Sequence, residues 1–247
     1  MRQAGELIRE YLREGKLAQS RSRPIGSGGN AVVFESDTPG NVIKQLSHPD
    51  EGKFGLPGDN PKVIDEANLQ SIAADMGMAP RVEGVETFRG GFGNRIEMQD
   101  TRGNFEQRDS GTFPAGMDAV RVNQQLGQLA LKGVRLEDRH NGNIMYNKMT
   151  GRPTQIDFGI ADKFNNDTEK AAWISQVTAD GFEAAGIPEM GHILRATVMD
   201  LLEGGDVAEG LDVAKQGFSR LQKIKAPFGN VPSAKTALLE QQLAEFD

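Results

Sequence analysis

The chain has 247 residues, 26% of them charged and 37% hydrophobic, with a formal net charge of −7 and no cysteine. That length can bury a sizeable core in one bilobal domain or in two small ones. The acidic balance gives no support for general nucleic-acid binding. The missing cysteines exclude disulfides, thiolate zinc sites and a cysteine nucleophile, and no apolar run approaches a membrane span.

Residues 5–17 carry Leu7, Ile8, Tyr11 and Leu12 among charges, which predicts an amphipathic N-terminal helix. A glycine-rich turn at Gly26–Asn30 precedes a strand over Ala31–Phe34. The turn residues Asp37-Thr38-Pro39-Gly40 lead into a second strand over Asn41–Leu46. Residues 47–61, rich in Gly, Pro and Asp, read as a long exposed loop. A helix is predicted from Pro61 to Gly77, with Glu66, Leu69, Ala73 and Met76 toward one side.

Strands are predicted at Arg81–Phe88 and Asn94–Met98, and the polar stretch Asp100–Phe113 reads as a hinge. Pro114–Lys132 is a clear helical pattern. The short apolar pieces Ile144–Tyr146 and Thr154–Ile156 flank turn residues and predict a small hairpin. Helices follow at Asp167–Ala179, Pro188–Leu202, Val207–Ile224 and Ser233–Phe246. Apolar residues lie all round Ile193–Leu202, which predicts a buried helix. Strands first and helices afterwards predict an α+β protein with segregated lobes: residues 1–100 and residues 101–247.

Five short features along this order carry chemistry. Ile25-Gly26-Ser27-Gly28-Gly29-Asn30 could bring backbone N–H groups close to phosphate oxygens, although a glycine turn between strands is more often a plain hairpin loop. No Gly-Lys-Ser/Thr follows it, so it is not a Walker A loop, and it opens no helix, against a dinucleotide fold. Lys44 lies within Val42-Ile43-Lys44, where an unpaired ammonium would be costly if buried. Glu66, on the next helix, is its natural partner. Asp138 and Asn143 stand five apart in a polar run that also holds His140. Asp157 opens Asp157-Phe158-Gly159. Phosphoryl transfer uses such a set: one carboxylate for the hydroxyl, and an amide oxygen and second carboxylate for magnesium. Each feature alone is commonplace; their joint order is not.

On these residues the chain, from about Ile25 to Gly159, resembles the protein-kinase-like superfamily. The resemblance implies a bilobal fold with an antiparallel N-lobe sheet, one main helix and a reduced, mainly helical C-lobe. It implies ATP with magnesium, or manganese as an alternative. Ile25, Gly26, Ser27, Gly28, Gly29, Asn30 and Val33 would then cover the nucleotide, Lys44 would bind phosphates and pair with Glu66, and Met98, Gln99 and Asp100 would be the adenine-binding hinge. The hinge could also lie at Ile96-Glu97-Met98. Asp138 matches the catalytic aspartate, and Asn143 and Asp157 the metal ligands.

Two departures matter. The string Asp138-Arg139-His140-x-x-Asn143-Ile144-Met145 is similar to the phosphatidylinositol kinases and their protein-kinase relatives, and places His140 where a donor meets the transferring phosphate. Glu137 stands where the common loop has arginine, so activity independent of activation-segment phosphorylation is expected. The short stretch after Gly159 is similar to compact kinases of bacterial effectors, phages and antibiotic phosphotransferases, and Ile187-Pro188-Glu189 offers a weak match to the close of an activation segment.

The resemblance thus implies a compact atypical serine/threonine protein kinase with a protein substrate or regulatory protein partner. Alternatives on the same fold are a small-molecule or lipid kinase, an adenylate transferase, or a catalytically silent nucleotide-binding module. The N-terminus lacks the basic-then-apolar layout of a signal peptide, so a cytoplasmic location is expected, in the producing cell or in a recipient.

Overall fold

The computed structural model of the chain describes residues 24–27, 31–46, 61–86, 95–108 and 112–224. The predicted helices at 5–17 and 233–246, and Gly28, Gly29 and Asn30, lie outside them. The chain divides into two compact units. One is Met1–Gly103 with Gln155–Ile160; the other is Asn104–Thr154 with Ala161–Asp247. Residues 155–160, grouped by sequence order with the C-terminal half, therefore belong to the first unit.

Among the described residues, the first unit is an antiparallel five-stranded sheet with one helix. Its strands are β1 (Pro24–Ser27), β2 (Ala31–Glu35), β3 (Asn41–Leu46), β4 (Val82–Glu86) and β5 (Arg95–Gln99), in spatial order β1-β2-β3-β5-β4. Gly40, with φ +83°, makes the tight β2–β3 turn that a side chain would strain. The period-2 pattern puts Val42, Lys44 and Leu46 on one buried face of central strand β3. That face meets helix α1 (Pro61–Asp75). On α1 the positions Val63, Glu66, Ala67, Gln70 and Ala73 recur at helical spacing and are all buried. Ala31, Val42, Leu46, Val63, Ala67, Ile96 and Met98 form the core of this unit.

The second unit holds α2 (Gly116–Leu131), α3 (Asp167–Ala184), α4 (Pro188–Leu202) and α5 (Val207–Lys223) around Val120, Ile174, Phe182, Leu194, Phe218 and Leu221. Glycines set how closely these helices approach. A Cβ at Gly127 on α2 would run into the Phe218 ring, and one on Gly181 of α3 would stand 2.6 Å from Leu221 Cδ2. This explains why α3 continues five residues beyond the predicted Ala179. Gly181 costs helix propensity, but it is the surface against which α5 packs.

Two predictions about this half need correction. Helix α4 is not buried all round: Gly191, Leu194 and Leu201 face the core, while Ile193, Met199 and Leu202 are 57%, 56% and 69% exposed. A single stripe of α4 meets its neighbours, and composition alone cannot show which stripe. The stretch read as a hinge contains a strand, β6 (Phe105–Gln107), which pairs antiparallel with β8 (Ile144–Asn147). The predicted hairpin forms from β8 and β9 (Pro153–Gln155), giving a sheet of order β6-β8-β9. A short ladder joins β7 (Val134–Arg135) to β10 (Asp162–Lys163).

Candidate functional site

In the first unit, Lys44 is brought to two carboxylates from far along the chain. Its Nζ donates to Glu66 Oε1 at 2.6 Å and to Asp157 Oδ1 at 2.7 Å. Lys44 and Glu66 are both buried, whereas the Asp157 side chain is 45% exposed. Burial pulls the Lys44 ammonium down, but Glu66 and Asp157 outweigh it and hold the amine above its ordinary value. Burial pushes the Glu66 carboxyl up, with Lys44 opposing.

Asp157 reaches Lys44 because its own segment is fastened to this unit. Gln155 donates its backbone N–H to the Met78 carbonyl at 2.8 Å, and Phe158 is fully buried. Asp157 Oδ1 also accepts the Gly159 N–H at 2.9 Å. A Cβ at Gly159 would stand 3.1 Å from that same oxygen, so glycine suits this turn sterically.

Ile25 and Val33 pack against the core of the sheet, and Gly26 and Ser27 are exposed on β1. A Cβ at Gly26 would meet nothing within 4 Å, so packing does not call for glycine there. The expected hinge residues are already engaged. Met98 is buried between Val42 and Val82 in the ladder. The backbone N–H groups of Gln99 and Asp100 donate to the carbonyls of Arg81 and Gly40. The Arg102 guanidinium grips the Asp100 carboxylate and lowers it below its ordinary value.

In the second unit, Asp138, His140 and Asn143 lie in one loop between β7 and β8. His140 Nδ1 accepts the Gly142 N–H at 2.9 Å, so the proton of the ring is on Nε2, which lies 3.2 Å from Asp138 Oδ1. Asn143 Nδ2 points at the Asp138 carbonyl at 3.5 Å, which leaves its amide oxygen as the face suited to a cation.

Asn141-Gly142 has the residue types of a tight turn, yet Asn141 does more than turn the chain. It is buried, accepts the Tyr146 hydroxyl at 2.8 Å, and donates to Thr112 Oγ1 at 2.8 Å. Its backbone N–H also donates to the Thr112 carbonyl. Arg108 stacks over the Tyr146 ring at 3.9 Å and pairs with Asp118. Only the repeated pattern of apolar neighbours Ile144 and Met145 hinted that this loop end is buried.

No group of three or more His, Asp or Glu placed to hold a metal occurs among the described residues. Magnesium in nucleotide sites is typically held by one or two protein oxygens plus phosphates and water, which an aspartate and an asparagine can supply.

The order of elements is that of an α+β fold: an antiparallel sheet with one main helix, then a helical part. Among solved structures the chain is similar to the Cydia pomonella granulovirus kinase PK-1, with 12% identity, a TM-score of 0.43, and coverage of 71% of this chain and 74% of that one. No protein-family model and no curated protein matches the chain.

Proposed function

We infer that the chain is an ATP- and magnesium-dependent phosphotransferase acting on a protein hydroxyl, a compact atypical serine/threonine protein kinase. The observation that carries this reading is the buried Lys44–Glu66 pair joined by Asp157, the aspartate of the D-F-G string. A structural ion pair needs no third, half-exposed carboxylate on a glycine turn. A phosphate-binding lysine beside a metal-binding aspartate does.

The residues fit the groups they would hold. Lysine has three donors, and described residues accept two from Lys44, leaving a third for a phosphate oxygen. Glu66 fixes the direction of that donor. Ile25, Gly26, Ser27 and Val33, with Gly28, Gly29 and Asn30, would cover the nucleotide. Asp157 and Asn143 would hold magnesium, which when bound neutralises charge on the transferring phosphate. Asp138 would orient and deprotonate the acceptor hydroxyl, and His140 would add a donor beside the transferring group. Positioning and electrostatics would supply most of the rate enhancement.

The test is incubation of the full chain with γ-labelled ATP and magnesium beside Asp138→Ala and Asp157→Ala. Label on protein, lost in both variants, is the expected result. Label from the α position alone would indicate adenylate transfer. Absence of any turnover, with a thermal shift on adding nucleotide, would replace this reading with a silent binding module. Because Glu137 stands beside Asp138, phosphatase treatment is expected to leave activity unchanged.

A further inference from the structure

Arg139 stands between Asp138 and His140. Its neighbours Asp138 and His140 are partly exposed, with side chains 37% and 36% accessible. Arg139 instead lies against α3. Its Nη1 donates to Asp180 Oδ2 at 2.9 Å, and its guanidinium carbon lies 5.5 Å from the centroid of the Trp173 ring. Trp173, Gln176 and Asp180 are three and seven residues apart, which puts them on one face of α3.

That face is itself held in place. Asp180 Oδ1 accepts from Gln176 Nε2 and from Arg195 Nη2, both at 2.9 Å, and Arg195 is gripped in turn by Glu183 at 2.8 Å. Trp173 packs against the helical core. The carboxylate and the ring are thus fixed by α3 and α4 independently of the loop. A partly exposed ion pair adds little stability by itself. A planar guanidinium held at once by a fixed carboxylate and a ring face restricts orientation instead. On the other side of His140, Asn141 is tied to Thr112 and Tyr146. The reactive side chains are therefore bracketed by two anchors.

We propose that Arg139 is a positioning residue: clamped by Asp180 and Trp173, it fixes the backbone from which Asp138 and His140 project. The one tryptophan of the chain consequently reports the state of this loop. The kinetic half of the proposal rests on the phosphotransferase reading; the clamp does not.

The experiment compares the full chain with Arg139→Ala, Arg139→Lys and Asp180→Asn. Tryptophan emission and acrylamide quenching are read without nucleotide. Transfer of label to protein from γ-labelled ATP with magnesium then gives kcat and KM. For Arg139→Ala the emission moves to the red, acrylamide quenches more strongly, and kcat falls about 100-fold while KM for ATP stays within about twofold. Arg139→Lys, which keeps a cation over the ring, returns the emission and regains about tenfold in kcat. Asp180→Asn retains both Arg139 and Trp173, moves every reading in the same direction by less, and serves if Arg139→Ala does not fold. Unchanged emission and quenching in the folded variants overturns the clamp. So does a rise in KM with kcat intact. A wild type that transfers no label to protein refutes the phosphotransferase reading, and the emission measurements alone then decide the clamp.

Discussion

The two clusters of candidate site side chains are built in opposite ways. The Lys44 cluster is charged, mostly buried and assembled over long range: Lys44 lies 22 residues from Glu66 and 113 from Asp157. The Asp138 cluster is local and partly exposed, with the three side chains proposed for catalysis and metal binding inside six residues. Its fixity comes from neighbours that do no chemistry, namely Asn141, Tyr146 and Arg139. Removing one member of the first cluster strands a buried charge, so function and folding are coupled there. In the second cluster the groups proposed to react should tolerate substitution without disturbing the fold, and the supports should not.

The largest expected effect tests the first half of that contrast. Lys44→Met leaves Glu66 buried without its cation and should cost about 3–5 kcal/mol in denaturant unfolding. Lys44→Met combined with Glu66→Leu should recover most of that stability and none of the phosphotransfer. A single variant as stable as the wild type would erase the distinction between the clusters.

Next in size is a support of the second cluster. Tyr146→Phe removes the hydroxyl that Asn141 Oδ1 accepts in a buried setting, at an expected cost of about 1–3 kcal/mol, and should lower kcat by loosening the loop. Asp138→Asn should change stability by less than about 0.5 kcal/mol while abolishing phosphotransfer. If Asp138→Asn destabilises more than Tyr146→Phe, the supports have been misassigned.

The smallest effect concerns a carboxylate on the same sheet but outside the Lys44 cluster. Ser36 Oγ and Asn41 Nδ2 donate to Glu97 and hold its carboxyl below its ordinary value. A lowered carboxyl contributes stability above its unfolded value, near 4.5, and loses it as pH falls through the lowered folded value. Glu97→Gln should cost a little stability at neutral pH, where that contribution is fully present, and should converge with the wild type as pH falls through the lowered folded value. An equal loss at neutral pH and in acid would mean that packing, rather than charge, is what Glu97 supplies.

Much of the first unit was legible because its signals are local. The alternation through Val42, Lys44 and Leu46 and the spacing of Glu66, Leu69 and Ala73 along α1 each mark a buried face, and a charged residue on each face asks for a partner. The second unit was less legible. Gly181 reads as a helix breaker, yet it lies inside α3 because Leu221 needs the space. The apolar residues of α4 read as a buried helix, yet Ile193, Met199 and Leu202 are exposed. Both outcomes depend on which neighbour packs where, and residue type does not encode that.

The sequence by itself determined the α+β order of elements and the residues that carry charge, because periodicity, turn chemistry and spacing are properties of neighbours along the chain. Tertiary structure alone decided that residues 155–160 join the sheet unit, where Asp157 meets Lys44. It also decided that Asn141 is a buried anchor and not a solvated turn, and that Arg139 lies on Trp173 and Asp180. Each of those depends on a contact between distant segments, where burial and loop-closure entropy select one arrangement from the many that the local pattern allows.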